Sequence, residues 1–146
     1  MKIHFTKMSG AGNDFVVVDN RDGHIKVPGL FAVSVCHRRF GIGADGVLLV
    51  EQHGTAAFTM KYYNADGSNA GMCGNGGRCI AKFAYDNRIV SENSFSFEGF
   101  GHMYTADRIT SDEYRLAMKV PHGYRPNQVL AIDGKHIISN YLNTGT

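Results

Sequence analysis

The sequence predicts an α+β fold in which a mostly antiparallel sheet wraps around a central helix. Three observations carry this. β-patterned stretches dominate a chain of 146 residues, and two segments, 29–40 and 75–87, have helical periodicity. The second of these carries Cys79, Ile80, Ala81, Phe83, Ala84 and Tyr85 and is apolar over most of its circumference, as a helix surrounded by protein is. Short clusters of Gly, Asn and Asp interrupt the apolar runs where strands need turns.

In order, residues 2–8 alternate apolar and polar as a half-buried strand does, and Gly10-Ala-Gly12 breaks them. Residues 14–19 form a second strand that ends in Asn20-Arg-Asp-Gly23. Leu30, Val33, Cys36 and Phe40 recur at helical spacing, and with Gly41 as a C-cap they predict a helix over 29–40. Segments 46–51 and 56–63 read as two strands joined through His53-Gly54, and the loop at 64–74 leads into the helix at 75–87. Segments 95–100, 102–109 and 113–120 are short β-patterned stretches. Pro121, Gly123 and Pro126 mark a boundary, because two prolines and a glycine within six residues disfavour a continuing helix or strand. Segments 129–133 and 136–140 flank Asp133-Gly134 as a hairpin.

Composition excludes several classes of function. A formal charge of +2 is too small to imply a nucleic acid or membrane-surface partner, and 43% hydrophobic with 19% charged residues is ordinary for a soluble domain. The longest aliphatic runs, Val16-Val17-Val18 and Val47-Leu48-Leu49-Val50, fall far short of the roughly 20 residues of a spanning helix. The N-terminus shows no export signal, and three cysteines (Cys36, Cys73 and Cys79) make no secreted-type disulfide framework. Across one helix Cys73 and Cys79 would stand about 9 Å apart along the axis, beyond the ~7 Å a disulfide spans. Reduced thiols in the cytoplasm are the expectation.

The candidate metal and nucleotide motifs fail on context. Seven histidines are scattered, without a His-x-x-x-His or Cys-x-x-Cys pair, so zinc has no spacing to use. The run from Asn64 through Asp66 to Ser68 has Asn75 where a calcium loop needs its bidentate Glu. Gly41-Ile-Gly43-Ala-Asp-Gly46 has the letters of a dinucleotide fingerprint, but a helix precedes it and a strand follows, which inverts the required order. No metal and no cofactor is expected.

Cys73 stands apart from the other thiols. It lies directly before the glycine-rich Gly74-Asn75-Gly76-Gly77 and so at the mouth of the apolar helix. Unpaired N–H groups and the positive end of the dipole there favour a thiolate and offer donors to a bound carboxylate. The competing reading is a buried cysteine in a tight turn. Cys36, on the apolar face of the first helix, and Cys79, one and a half turns into the second, read as inert core thiols.

Gly10-Ala-Gly-Asn-Asp-Phe15, Tyr63-Asn-Ala-Asp-Gly-Ser68 and Met72-Cys-Gly-Asn-Gly-Gly-Arg-Cys79, in this order and spacing and with Gly43-Ala-Asp-Gly46 in register, resemble the diaminopimelate epimerases. The Met-Cys-Gly-Asn-Gly-Gly-Arg run is specific; the related proline racemases usually carry histidine after the Cys-Gly, where this chain has Asn75. The resemblance implies one of two similar domains, each a mostly antiparallel sheet around a central helix, with the substrate in the cleft between them. It implies a cofactor-independent epimerase that converts LL-diaminopimelate to the meso form with two cysteines, for lysine and peptidoglycan precursors. Carried over by motif, Cys73 is the acid/base of the first domain, the backbone amides of Gly74 and Asn75 hold the α-carboxylate, and Asn13 and Asn64 bind polar groups of the substrate. The full-length family protein is expected to be a homodimer whose ligand is a small molecule. Some relatives place a polar substrate-contacting residue where this chain has Gly46.

Family members are about twice this long, and no cysteine follows Cys79. Residues 1–120 therefore read as the N-terminal domain and 121–146 as the opening hairpin of a second one. On this reading the 146-residue chain alone is inactive as an epimerase. The rival readings are a non-catalytic truncated module and another amino-acid racemase on the same scaffold.

Overall fold

The computed structural model describes residues 2–145. Strands β1 (Thr6–Gly10) and β2 (Asn13–Asp19) form a hairpin that pairs Gly10 with Asn13. Its two turn residues, Ala11 and Gly12, both have positive φ (50° and 94°), the backbone that a two-residue hairpin turn favours. A crossover through helix α1 (Pro28–Cys36) brings β3 (Gly46–Glu51) parallel to β2. Strand β4 (Thr59–Asn64) returns antiparallel to β3. A second crossover, through helix α2 (Gly74–Asp86), leads to β5 (Ser94–Gly99), parallel to β4. Strands β6 (His102–Arg108) and β7 (Tyr114–Ala117) complete the sheet as an antiparallel meander.

The strand order is β1-β2-β3-β4-β5-β6-β7, and four of the six pairings are antiparallel. Helix α2 packs against both edge strands, β1 and β7, as well as β2, β3, β4 and β6. A sheet whose two edges touch one helix is curled around that helix, which is the architecture the sequence predicts. The helix buries Gly76, Gly77, Cys79, Ile80, Ala81, Phe83 and Ala84.

Alternation along the strands divides the core in two. Phe15, Val17, Leu48 and Val50 pack with the α2 side chains, whereas Val16, Val18, Val47 and Leu49 pack with Ala32 and Cys36 of α1. Both faces of β2 and β3 are thus covered, which is why these strands read as unbroken aliphatic runs rather than alternating ones. Each fully buried Val or Leu there contributes about 1.5–3 kcal/mol relative to its exposed state.

Several boundaries differ from the sequence reading. Strand β1 pairs from Thr6, opposite Val17, through Gly10, opposite Asn13, rather than over residues 2–8. Helix α1 stops at Cys36 rather than continuing to residue 40, because Gly43 and Ala44 N–H groups take the Val35 and Cys36 carbonyls and lead the chain into β3. Its buried stripe is Ala32 and Cys36; Leu30 and Phe40, assigned to that face by periodicity, are 70% and 90% exposed. Helix α2 starts at Gly74 and ends at Asp86, one residue earlier at each end than the predicted 75–87.

Beyond β7 the chain forms a separate two-stranded ribbon, β8 (His122–Ile132) and β9 (Lys135–Asn143), around the turn at Asp133 and Gly134. Strand β8 continues through Pro126, where the sequence argued against a strand. Register shifts on either side of Arg125 accommodate the break, and a two-stranded ribbon leaves an outer edge where the missing N–H of proline costs no ladder bond. Among the described residues no helix is long and apolar enough to cross a membrane.

Candidate active site

Cys73 is the N-cap residue of α2. Its backbone is extended (φ −115°, ψ 116°), its carbonyl accepts from Gly77 N at 2.8 Å, and its Sγ accepts from Gly76 N at 3.5 Å. The sulfur therefore occupies the place of an N-cap oxygen, beside the first-turn N–H groups that have no intrahelical acceptor. Cys73 is half-buried and lines an open depression of ≈ 370 Å³ together with Gly74, Asn75, Met72 and Tyr62. The competing reading of a sealed thiol in a turn does not hold.

The other thiols are placed differently. Cys36 and Cys79 are 2% and 4% exposed, and burial pushes both up to about 11. All three cysteines are free. Burial also raises the Tyr62 phenol, with nearby Cys73 as the second cause.

Strand register brings the predicted asparagines to this end of the sheet. Asn13 opens β2, Gly46 opens β3 opposite Asn64, and Asn64 closes β4. Asn13 Oδ1 accepts from Asn75 Nδ2 at 2.7 Å, so the first residue of β2 directly touches the first turn of α2. Asn64 is held within its own turn: its Nδ2 donates to Ser68 Oγ at 3.0 Å and its N–H to Ser68 O at 3.0 Å. Of the predicted residues, then, Cys73, Gly74, Asn75 and Asn13 form one continuous constellation. Asn64 stands at the same sheet end without a hydrogen bond to them.

Sequence reasoning did not assign the polar frame behind these residues. Asn13 Nδ2 donates to Asp45 Oδ2 at 3.2 Å, and Arg78 donates to Asn75 Oδ1. Arg38 makes a two-pronged contact with Asp14 at 2.9 and 3.1 Å and also reaches Asp45 at 2.8 Å, while Lys7 pairs with Asp14 at 2.8 Å. These partners, Arg38 foremost, hold the Asp14 carboxyl well below the usual carboxylate range. Asp14 and Asp45 stand inside the motifs already noted. Arg38 and Lys7 lie outside those motifs, and each meets its partners across a turn or between elements rather than at a strand or helix repeat.

Gly46 has a steric reason. A Cβ there would lie 2.5 Å from Tyr62 Cε2 and 2.5 Å from the Tyr63 carbonyl oxygen, so the Tyr62 ring takes the space a side chain at 46 would fill. Gly10 is similar: β1 crosses the first turn of α2 so closely that a Cβ would lie 2.9 Å from Asn75 O and 2.9 Å from Cys79 Sγ. Among the described residues no group of three or more His, Cys, Asp or Glu side chains is placed to hold a metal ion.

Comparison with known proteins agrees with the motifs. Residues 5–118 match the family model described as diaminopimelate epimerase. The diaminopimelate epimerase of Alkaliphilus metalliredigens is 43% identical over 124 residues, covering 84% of this chain and 44% of that protein. That of Methanocella arvoryzae is 52% identical over 88 residues (59% and 31%), and that of Clostridium perfringens 36% over 145 residues (97% and 53%). The chain spans about half the length of the curated relatives it matches. Among solved structures, a probable proline racemase from Agrobacterium radiobacter K84, with bound carbonate, superposes with a TM-score of 0.71 at 15% identity, over 97% of this chain and 49% of that one. A phenazine biosynthesis protein of the PhzF family from Bacillus anthracis gives 0.64 at 15% identity, over 90% and 45%. Identity that low shows a shared fold and nothing more.

Proposed function

The chain belongs to the diaminopimelate epimerase family, and from that premise we propose that it supplies one half of a cofactor-independent epimerase that converts LL-diaminopimelate to meso-diaminopimelate. Residues 1–120 form the first domain and 121–146 open the second. The same reading makes it a cytoplasmic enzyme, homodimeric at full length, that serves lysine and peptidoglycan precursor synthesis.

Cys73 acts at the α-carbon. As thiolate it takes the α-proton and becomes a thiol, and the electron pair left behind spreads onto the adjacent carboxylate as enolate-like charge. The N–H groups of Gly74 and Asn75 meet that carboxylate at the helix mouth, where fixed donors and the dipole act most strongly on charge as it develops. A second thiol, from the other domain, gives a proton to the opposite face and becomes the thiolate. Asn13 and Asn64 hold polar groups of the substrate. A single observation supports this most directly: the Cys73 sulfur caps α2 and borders an open depression, while the other two thiols are sealed.

The test is isotopic. Incubated with LL-diaminopimelate in D₂O, the 146-residue chain should exchange the α-hydrogen slowly and retain configuration, because one base serves one face. Full inversion by this chain alone overturns the two-thiol assignment.

A further inference from the structure

Four side chains form a line across the site: Asp45, Asn13, Asn75 and Arg78. Its two ends are chemically unambiguous, since an ionised carboxylate only accepts hydrogen bonds and a guanidinium only donates them. Between them, an asparagine amide could sit either way round, and its partners decide which. Asp45 takes an N–H from Asn13, so Asn13 must turn its carbonyl oxygen to Asn75. Arg78 donates to the Asn75 oxygen, so Asn75 must turn its NH₂ to Asn13. Both ends dictate the same orientation. Asp45 is itself anchored, by Arg38 at 2.8 Å and by the backbone N–H of Asp14 at 3.1 Å.

We propose that Asp45 and Arg78 are positioning residues that lock the Asn13 and Asn75 amides so that each carbonyl oxygen already holds a donor and each NH₂ keeps one N–H free. The free groups at the site are then donors, beside the free backbone N–H groups of the α2 first turn. Such a set selects an acceptor-only group and discriminates against an amide or ammonium in the same place. That the acceptor is a carboxylate of diaminopimelate rests on the function proposed above; the lock itself does not.

The two ends back each other up, and this gives the lock a signature. In Asp45→Asn the Arg78 end still orients both amides; in Arg78→Met the Asp45 end does. The double variant releases both ends and leaves the net charge unchanged. Nitrogen-15 NMR of the side-chain amides reads the lock without any ligand. The wild type and each single variant should show one slowly and one rapidly exchanging proton on Asn13 and on Asn75. The double variant should lose this asymmetry while its backbone spectrum stays dispersed. Arg78→Lys in the Asp45→Asn background returns a donor and should restore it. Diaminopimelate affinity should fall about tenfold more in the double variant than the product of the two single effects, the non-additivity expected of a redundant pair. Singles that each lose as much as the double, or a double variant that keeps the asymmetry, overturn the lock. If the amides behave as stated but diaminopimelate shifts neither free proton, the lock stands and the substrate reading falls.

Discussion

The mouth and the body of α2 hold chemically identical groups in opposite circumstances. Cys73 and Cys79 are six residues apart, yet one caps the helix beside unpaired N–H groups and an open depression, and the other is sealed between the helix and β1. Burial raises Cys79 to about 11, where a thiolate is scarce near neutral pH. What a thiol can do here is decided by axial position: Cys73 has spare first-turn donors and an open depression beside it, whereas Cys79 has no spare donor and is covered. The sheet curled around the helix produces that contrast, because it closes the body and leaves the mouth open.

The largest expected difference is in chemistry. Cys73→Ala should lower α-hydrogen exchange by about 10²–10⁴-fold, the usual contribution of a positioned acid or base. Cys79→Ala should keep the exchange and lose about 1 kcal/mol of stability through the small cavity left behind. Exchange measured by mass spectrometry and stability by urea unfolding separate the two. Equal losses of exchange would erase the distinction between mouth and body.

A smaller effect is expected where β1 meets the first turn. Gly10→Ala forces a methyl toward the backbone carbonyl of Asn75 and the Cys79 sulfur and should cost about 1–3 kcal/mol by overpacking. Gly74→Ala meets nothing closer than 3.8 Å and should leave the unfolding midpoint almost unchanged. If the two behave alike in urea, the close approach of β1 to the helix mouth is wrong.

The smallest effect concerns pH. The Asp14 carboxyl titrates below its unfolded counterpart because Arg38 and Lys7 pair with its charged form. Its stabilisation is therefore complete above the unfolded value of about 3.9 and is lost as pH falls through the lower folded value. Asp14→Asn should flatten the fall of stability below about pH 4, with little change in its slope at pH 6. An unchanged acid limb would mean that these ion pairs, with Arg38 largely exposed, are screened to insignificance.

Most of the sheet was legible because its strands announce themselves locally. β3 matches its predicted range, and β2, β5 and β6 shift by a single residue. Helix α2 was legible from its apolar circumference. Helix α1 was misread because Leu30, Val33 and Phe40 keep a helical spacing that the fold does not bury, while the smaller Ala32 and Cys36 fit against the sheet. Pro126 reads locally as a break, yet a ribbon strand bulges around it. At the site, Cys73 and the asparagines stand in contiguous motifs and could be named. The bonds from Asp45 to Asn13 and from Arg38 to Asp14 carry no local signal, because they join residues distant in sequence, whereas Arg78 lies one helical turn from Asn75 within a single motif and is legible there.

The most direct test is the order in which the three thiols react with iodoacetamide near pH 8, followed by peptide mapping with and without diaminopimelate. With Cys36 and Cys79 raised to about 11, only about one in a thousand of each is ionised at that pH. The prediction is that Cys73 is labelled first by a wide margin and that diaminopimelate slows its labelling alone. Labelling of Cys73 no faster than the other two, or at a rate diaminopimelate leaves untouched, would contradict a substrate-facing sulfur at the mouth of α2.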